Sequence, residues 1–310
     1  MINIHSKIFI AGHNGMLGSS ILRILKKKGY KNLITIDRKK LDLTNQALVK
    51  KFFKIKKPHA VIIAAAKVGG IRANMDYPVS FINDNLQIQT NLITSSFENK
   101  VEKLILFGSS CIYPKNLKKP IKENQILTGV LEKTNESYSI AKIAGIKLIE
   151  AFNKQYKTNY ICLMPCNLFG PNDNYDLKNS HFLPALIRKI FTASKKNKIV
   201  KLWGTGKPLR EILYVDEVAE ACEFFLKKKN YYSLINIGSS IEMSIKDYAY
   251  KIRDKIDPKV LIKFDNNFKL DGVKRKKLDT SLAKRNGWKA KMNFSKVLDK
   301  TIEDYINSQR

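Results

Sequence analysis

Tyr138 and Lys142 stand four residues apart in the run Tyr138-Ser139-Ile140-Ala141-Lys142, a spacing that puts a phenol and an ammonium on one helical face. A free tyrosine titrates near pH ~10, too high to exchange protons efficiently at neutrality. A lysine close by favours the phenolate and is expected to lower that value. Alone, such a pair is common on helix surfaces. Here an apolar run upstream, Lys103 to Phe107, ends in Gly108-Ser109-Ser110-Cys111. Ser109 would then lie at the carboxyl end of a strand, where open α/β sheets bind ligands, and its hydroxyl can donate to a carbonyl or alcohol oxygen.

Nearer the N-terminus, Gly12-His13-Asn14-Gly15-Met16-Leu17-Gly18 follows the apolar run Lys7 to Ala11 and opens a segment of helical period. Glycines three residues apart allow a tight turn and close backbone approach, and the helix start offers N–H groups to a pyrophosphate. A glycine triplet is weak by itself; the strand before it and the helix after it make it specific. Gly204-Thr205-Gly206-Lys207 lacks the longer spacing of a triphosphate loop and runs into Pro208.

The elements that must position these groups alternate. Strands are expected at 7–11, 33–36, 60–65, 103–107 and 160–164, with helices at 16–27, 46–53, 79–99 and 139–156 between them. Alternation of this kind implies right-handed crossovers and a parallel sheet covered on both faces. Beyond Pro165 the pattern loosens: a loop at 170–174, a helix at 182–194, short strands before Trp203 and at 234–237, a polar basic stretch at 265–277, and a last helix at 294–306. This reads as one α/β domain with a smaller, interleaved second lobe.

Composition excludes several classes. The 310 residues, 44% hydrophobic and 27% charged, are long enough for a large core and unlike disordered or fibrous chains. No apolar run approaches the ~18 residues of a membrane span, and no signal-peptide pattern opens the chain. Four cysteines suggest no disulfide framework and a cytoplasmic setting. Cys162, Cys166 and Cys222 lie in apolar stretches and read as core. No Cys/His cluster has metal-ligand spacing, so no metal is expected. The balance of 57 Lys and Arg against 27 Asp and Glu gives +30. Runs such as Lys26-Lys27-Lys28 and Lys227-Lys228-Lys229 follow helical stretches, where cations suit helix ends. No nucleic-acid motif accompanies them, so they are read as solvated faces and no nucleic-acid partner is expected.

Taken together, these segments resemble the extended short-chain dehydrogenase/reductase family, and within it the epimerase/reductases that act on GDP-4-keto-6-deoxy-mannose. The likeness covers nearly the whole chain. It rests on the glycine loop, Ala64-Ala65-Ala66-Lys67-Val68-Gly69-Gly70-Ile71, Gly108 to Lys115, Tyr138 to Lys147, Met164-Pro165 with Asn167 to Pro171, Asn179-Ser180-His181, Trp203 to Gly206, Arg210-Glu211, and Asp271-Gly272 with Arg275-Lys276.

The resemblance implies a Rossmann-type doubly wound parallel sheet. Residues 1–166 plus about 211–240 would bind NADP, and about 167–210 plus 241–310 would form the GDP-sugar lobe. It also implies a homodimer. It assigns Ser109, Tyr138 and Lys142 to reduction at C4, with Cys111 as base and His181 as acid in epimerisation at C3 and C5, as a thiolate–imidazolium pair. The cofactor set is Gly12, His13, Asn14, Gly15, Met16, Leu17, Gly18, Arg38, Asp42 and Leu43 (at the adenine), Ala65, Lys142, Pro165, Asn167, Leu168 and His181. The sugar-nucleotide set is Val68, Ser109, Asn167, Lys189, Trp203, Arg210, Asp271 and Lys276, with Arg210 and Lys276 suited to the diphosphate.

Two departures bear on these expectations. Asn14 stands where the family often carries an arginine, and Asp37 is the kind of acidic residue that prefers an unphosphorylated ribose, so NADH is an alternative to NADPH. Other GDP-4-keto sugars, including keto-heptoses, are alternative substrates. A dehydratase or 4-epimerase is disfavoured, because Ser110 and Cys111 replace the acidic pair beside the active-site hydroxyl. A non-catalytic dinucleotide- or nucleic-acid-binding protein need not keep Ser109, Tyr138 and Lys142 together.

Overall fold

The computed structural model describes residues 1–115, 117–177, 179–196, 199–229, 231–265 and 273–309. Its first half follows the alternation closely: β1 (Ile8–Ala11), α1 (Met16–Lys27), β2 (Leu33–Ile34), α2 (Gln46–Lys56), β3 (Ala60–Ile63), α3 (Ile71–Asp76), α4 (Pro78–Glu98), β4 (Lys103–Phe107), α5 (Glu136–Tyr156) and β5 (Tyr160–Pro165). Then come β6 (Asn167–Phe169), α6 (Phe182–Lys196), β7 (Val200–Trp203), β8 (Leu209–Tyr214), α7 (Val215–Leu226) and β9 (Leu234–Ile237). The chain finishes with β10 (Glu242–Ser244), α8 (Ile245–Ile256), β11 (Ile262–Asp265), β12 (Arg275–Lys276), α9 (Ser281–Arg285) and α10 (Phe294–Ser308).

Six strands form a parallel sheet in the order β2-β1-β3-β4-β5-β9. Every residue of β1, β3, β4, β5 and β9 is buried, as strands covered on both faces require. The chain goes out from β1 to β2 and returns to β3 on the other side. The strand order therefore reverses at β1, and a crevice opens beyond the carboxyl ends of the strands. Helix ends follow local chemistry: the Asn45 side chain accepts from Leu48 N–H at the start of α2, and Gly29, at φ +82, lets the chain turn after α1. Gly145 on α5 lets Gln89 of α4 lie against the helix and donate to the Ala141 carbonyl; a Cβ there would meet Gln89 Oε1 at 2.5 Å.

β8 is the hub of a second, smaller sheet, pairing with β10, β12 and β6. Sequence periodicity missed these strands because they are two to six residues long and polar or mixed. The second strand of the large sheet is also shorter than expected, at two residues. Two apolar cores result. One surrounds the large sheet and includes Leu282, Ala283 and Trp288 from late in the chain. The other joins α6, α8 and α10 around Phe169, Ile187, Tyr248 and Leu298. Glu211, fully buried, ties them, its carboxylate accepting from Ser240 N–H at 2.7 Å and Leu278 N–H at 2.8 Å. No helix of the described residues is long and apolar enough to cross a membrane.

Candidate active site

A cleft of about 450 Å³ opens at the carboxyl ends of β1, β3, β4 and β5. Its floor is the glycine loop. Gly12 sits at φ +87 and packs so closely on the next loop that a Cβ would lie 2.6 Å from Ala65 N. Gly18 does not line the cleft; its role is packing, since a Cβ there would lie 2.0 Å from the Gly12 carbonyl oxygen. The first turn of α1 has no side-chain cap and no acidic residue, which leaves its N–H groups available to an anion. These features fit a dinucleotide pyrophosphate.

The wall beyond is made by Arg38, Leu41, Asp42, Leu43 and Thr44. The Asp42 carboxylate accepts from Thr44 N–H at 3.0 Å and Thr44 Oγ1 at 2.8 Å, bonds that hold its pKa below the usual carboxylate range. Asn14 Nδ2 donates to Asp37 Oδ1 at 2.9 Å.

At the other end Ser109, Tyr138, Lys142 and His181 line the same cleft. Lys142 is buried, its ammonium donating to the Phe107 carbonyl at 3.0 Å and lying 5.8 Å from the centre of the Tyr138 ring. Burial pushes the Lys142 pKa down and the Tyr138 pKa well up. A hydrogen bond with Ser109 opposes the tyrosine shift without reversing it. Desolvation is the largest cause, so the tyrosine is raised rather than lowered as expected, and the resting group is the phenol.

Cys111 lies on the short turn Ser110–Ile112, buried behind the cleft wall. Ser139 Oγ fixes that turn to the start of α5, donating to the Cys111 carbonyl at 3.0 Å. Cys111 interacts electrostatically with Tyr138, Lys142 and Lys276. The expected imidazolium at His181 is also corrected. That ring is exposed by surface area, yet enough protein surrounds it that desolvation lowers its pKa and favours the neutral form.

Asn167 lines the cleft, whereas Arg210 and Lys276 do not and stand on paired strands of the small sheet. In register Lys276 pairs with Arg210 and Asn167 with Ile212, so the side chains of all three belong to one face. Asn167 Nδ2 donates to the Glu211 carbonyl at 3.0 Å, and Arg210 Nη1 to Val273 O at 2.7 Å. Burial and the nearby Arg210 lower the Lys276 pKa. Lys189 and Trp203 lie outside the cleft and meet each other, the ammonium 5.1 Å from the ring. Asp271 falls outside the described residues. Met16, Leu17, His13, Gly15, Ala65, Val68, Pro165 and Leu168 all line the cleft.

Sequence reasoning missed Thr44, Asp84 and Asn85. Thr44 and Asp84 face the cleft. Asn85, fully inside α4, braces the loop after β3 by accepting from Lys67 N–H at 2.9 Å and donating to Lys67 O at 3.0 Å. A polar residue at a core position of α4 was the one available signal. Farther along, Gly70 N–H donates to Asn179 O at 2.9 Å and so connects that loop to the segment carrying His181.

Residues 8–238 match the model of the NAD dependent epimerase/dehydratase family. The chain is 47% identical to a GDP-L-fucose synthase of Sinorhizobium fredii over 97% of this chain and 96% of that protein. It is 46% identical to GDP-L-fucose synthase 1 of Arabidopsis thaliana, covering 98% and 94% respectively. Among solved structures, a GDP-mannoheptose C4 reductase from Campylobacter jejuni with NADP bound superposes with a TM-score of 0.91 at 36% identity, covering 99% of this chain and 100% of that one. A parallel sheet with its glycine loop, a Ser–Tyr–Lys set in one cleft and these full-length likenesses agree: the chain belongs to the NAD dependent epimerase/dehydratase family.

Proposed function

We propose that this chain is an NADPH-dependent epimerase and reductase that makes GDP-L-fucose from GDP-4-keto-6-deoxy-D-mannose. The observation that carries the reading is the convergence of Ser109, Tyr138 and Lys142 on the glycine-loop cleft, with Cys111 on the turn beside them. NADPH, when bound, supplies the hydride for C4. Gly12 to Leu17, with Ala65, would hold its pyrophosphate side, and Arg38 with Asp42 and Leu43 its adenosine side. Asn167 and Lys142 would meet its nicotinamide half.

The protein's own groups move the protons. The 4-keto group acidifies C3–H and C5–H. Cys111 takes each proton as a thiolate, for which Lys276 and Lys142 are the neighbouring cations. His181, neutral at rest, takes a proton from solvent and returns it to the opposite face of the sugar, and the Cys111 thiol gives its proton up to solvent before the second abstraction. In the reduction Ser109 donates to the C4 oxygen and Tyr138 protonates it. The buried phenol is the form this direction needs. Arg210 and Lys276 bind the GDP diphosphate, with Val68, Lys189, Trp203 and Asp271 completing the sugar-nucleotide side. Residues 1–166 with about 211–240 would serve the dinucleotide and the remainder the sugar nucleotide, although Leu282, Ala283 and Trp288 pack into the core of the large sheet and Ile212 and Tyr214 into the smaller core. A second copy of the chain is the expected partner, docked on the outer face of α5. Ile140 there is 44% exposed, and exposed Ala151 follows about three turns on along the same face.

The test is incubation with GDP-4-keto-6-deoxy-D-mannose and NADPH, with loss of nicotinamide absorbance followed and the product identified by NMR. GDP-L-fucose is the expected product. Cys111→Ser should leave a reduced sugar of D-configuration; equal loss of epimerisation and reduction would remove Cys111 from the base role. Likeness to the GDP-mannoheptose C4 reductase favours one second reading, reduction of another GDP-4-keto sugar. Turnover of a keto-heptose substrate with none of the deoxy-mannose would select it.

A further inference from the structure

Because the six strands of the large sheet run parallel, the turns that enter them share one end, opposite the cleft. Helices α1, α2, α5 and α7 finish there, just before β2, β3, β5 and β9. Segments 26–28, 54–57, 154–157 and 227–229 at those helix ends carry eleven lysines, all exposed, with neither arginine nor carboxylate among them. Offsetting a helix dipole takes about half a charge per terminus, so two or three lysines exceed it severalfold. The acids close by are already matched: Glu98 with Lys50, Glu102 with the N-terminus, Glu220 with Lys28, and Glu223 with Lys28 and Lys227. The other nine lysines form no ion pair among the described residues. Apolar and aromatic side chains stand exposed between them: Ile4 before β1, Ile55 on α2, Tyr156 on α5, and Tyr231 and Tyr232 before β9. The cleft wall is electrically mixed by contrast, Arg38, Lys67 and Lys142 standing against Asp42 and Asp84.

We propose that this end of the sheet is a docking surface for an anionic lipid bilayer. Lysines are compact point charges suited to lipid headgroups, whereas nucleic-acid readout favours the arginine fork, which these segments lack. Tyrosine and isoleucine among the lysines fit the headgroup level, where amphipathic rings and short apolar contacts settle. At the usual strand spacing the six-stranded edge is about 24 Å wide. A bilayer plane therefore meets the lysines together, each acting within a Debye length of about 8 Å. Seated this way, the chain keeps its cleft, at the far end of the sheet, open to solvent.

Flotation of the full chain with vesicles tests it, the lipid being phosphatidylcholine alone or phosphatidylcholine with about a third phosphatidylserine. At about 0.1 M salt the partition onto the anionic vesicles should exceed that onto the neutral ones about tenfold or more, and about 0.5 M salt should release the chain. Replacing one lysine per segment, as Lys26→Gln, Lys54→Gln, Lys154→Gln and Lys229→Gln together, should cut the partition about tenfold or more. Tyr231→Ser should cut it about two- to fivefold and leave the salt dependence as it was. A control set removes the same charge elsewhere: Lys251→Gln, Lys259→Gln, Lys296→Gln and Lys300→Gln, all exposed on or beside α8 and α10. That set should hold the partition within about twofold. Equal flotation with both lipids, flotation with neither, or equal losses in the two lysine sets would overturn the proposal. In the last case the net charge of the whole chain, not this face, would attract the lipid. Retention on duplex DNA without flotation would overturn it in favour of nucleic acid.

Discussion

At the scale of single residues, burial decides charge. Tyr138 stays a phenol because desolvation exceeds what Ser109 offers its anion. Tyr138→Phe should therefore lower the reduction rate by about 10²- to 10⁴-fold, the usual worth of a positioned proton donor, with dinucleotide affinity unchanged. Near-normal turnover would strip Tyr138 of that role. Lys103, 1% exposed at the start of β4, shows the same physics away from the site. Its ammonium donates to Asn159 Oδ1 and Lys228 O, both at 2.9 Å, yet desolvation brings its pKa to about 7. Between about pH 7 and 10.5 the unfolded chain keeps a proton there that the folded chain has released. Stability therefore rises with pH across that window, and the penalty is full below it. Lys103→Met should flatten this rise in urea midpoints measured from pH 7 to 10; an unaltered slope would mean the ammonium stays charged in the core.

At the scale of elements, positioning passes through short contacts between loops. The loop after β3 is braced by Asn85 and then touches the 179–181 segment, with a Cβ on Gly70 falling 2.8 Å from Ser180 O. Gly70→Ala must push that segment, and His181 moves with it. Epimerisation should fall about tenfold or more while NADPH affinity, set at the far end of the cleft, holds within about twofold. Parallel loss of both would point to a general collapse of the loop.

At the scale of the molecule, the largest helix contact joins α4 to α5 and leaves the outer face of α5 uncovered. Sizing at micromolar concentration should give a pair of chains, and Ile140→Glu should shift it to single chains by burying a charge at the joint. A wild type that elutes as one chain would dismiss the pairing.

Much of this was legible in the sequence because it is local. The large sheet's strands are continuous apolar runs, its helices keep their period, and the glycine loop and the Tyr138–Lys142 spacing sit within single elements. Tertiary structure alone decided the rest. Arg210, Lys276 and Asn167 share a face only because short polar strands pair at β8, and strands of two or three residues have no period to read. The protonation of Tyr138 and His181 depends on how much protein surrounds them, and the pinning of Asp37 by Asn14 spans loops 23 residues apart. Desolvation and cross-strand register are properties of packed neighbours, so residue types fix the chemistry available while the fold sets which form of each group is present.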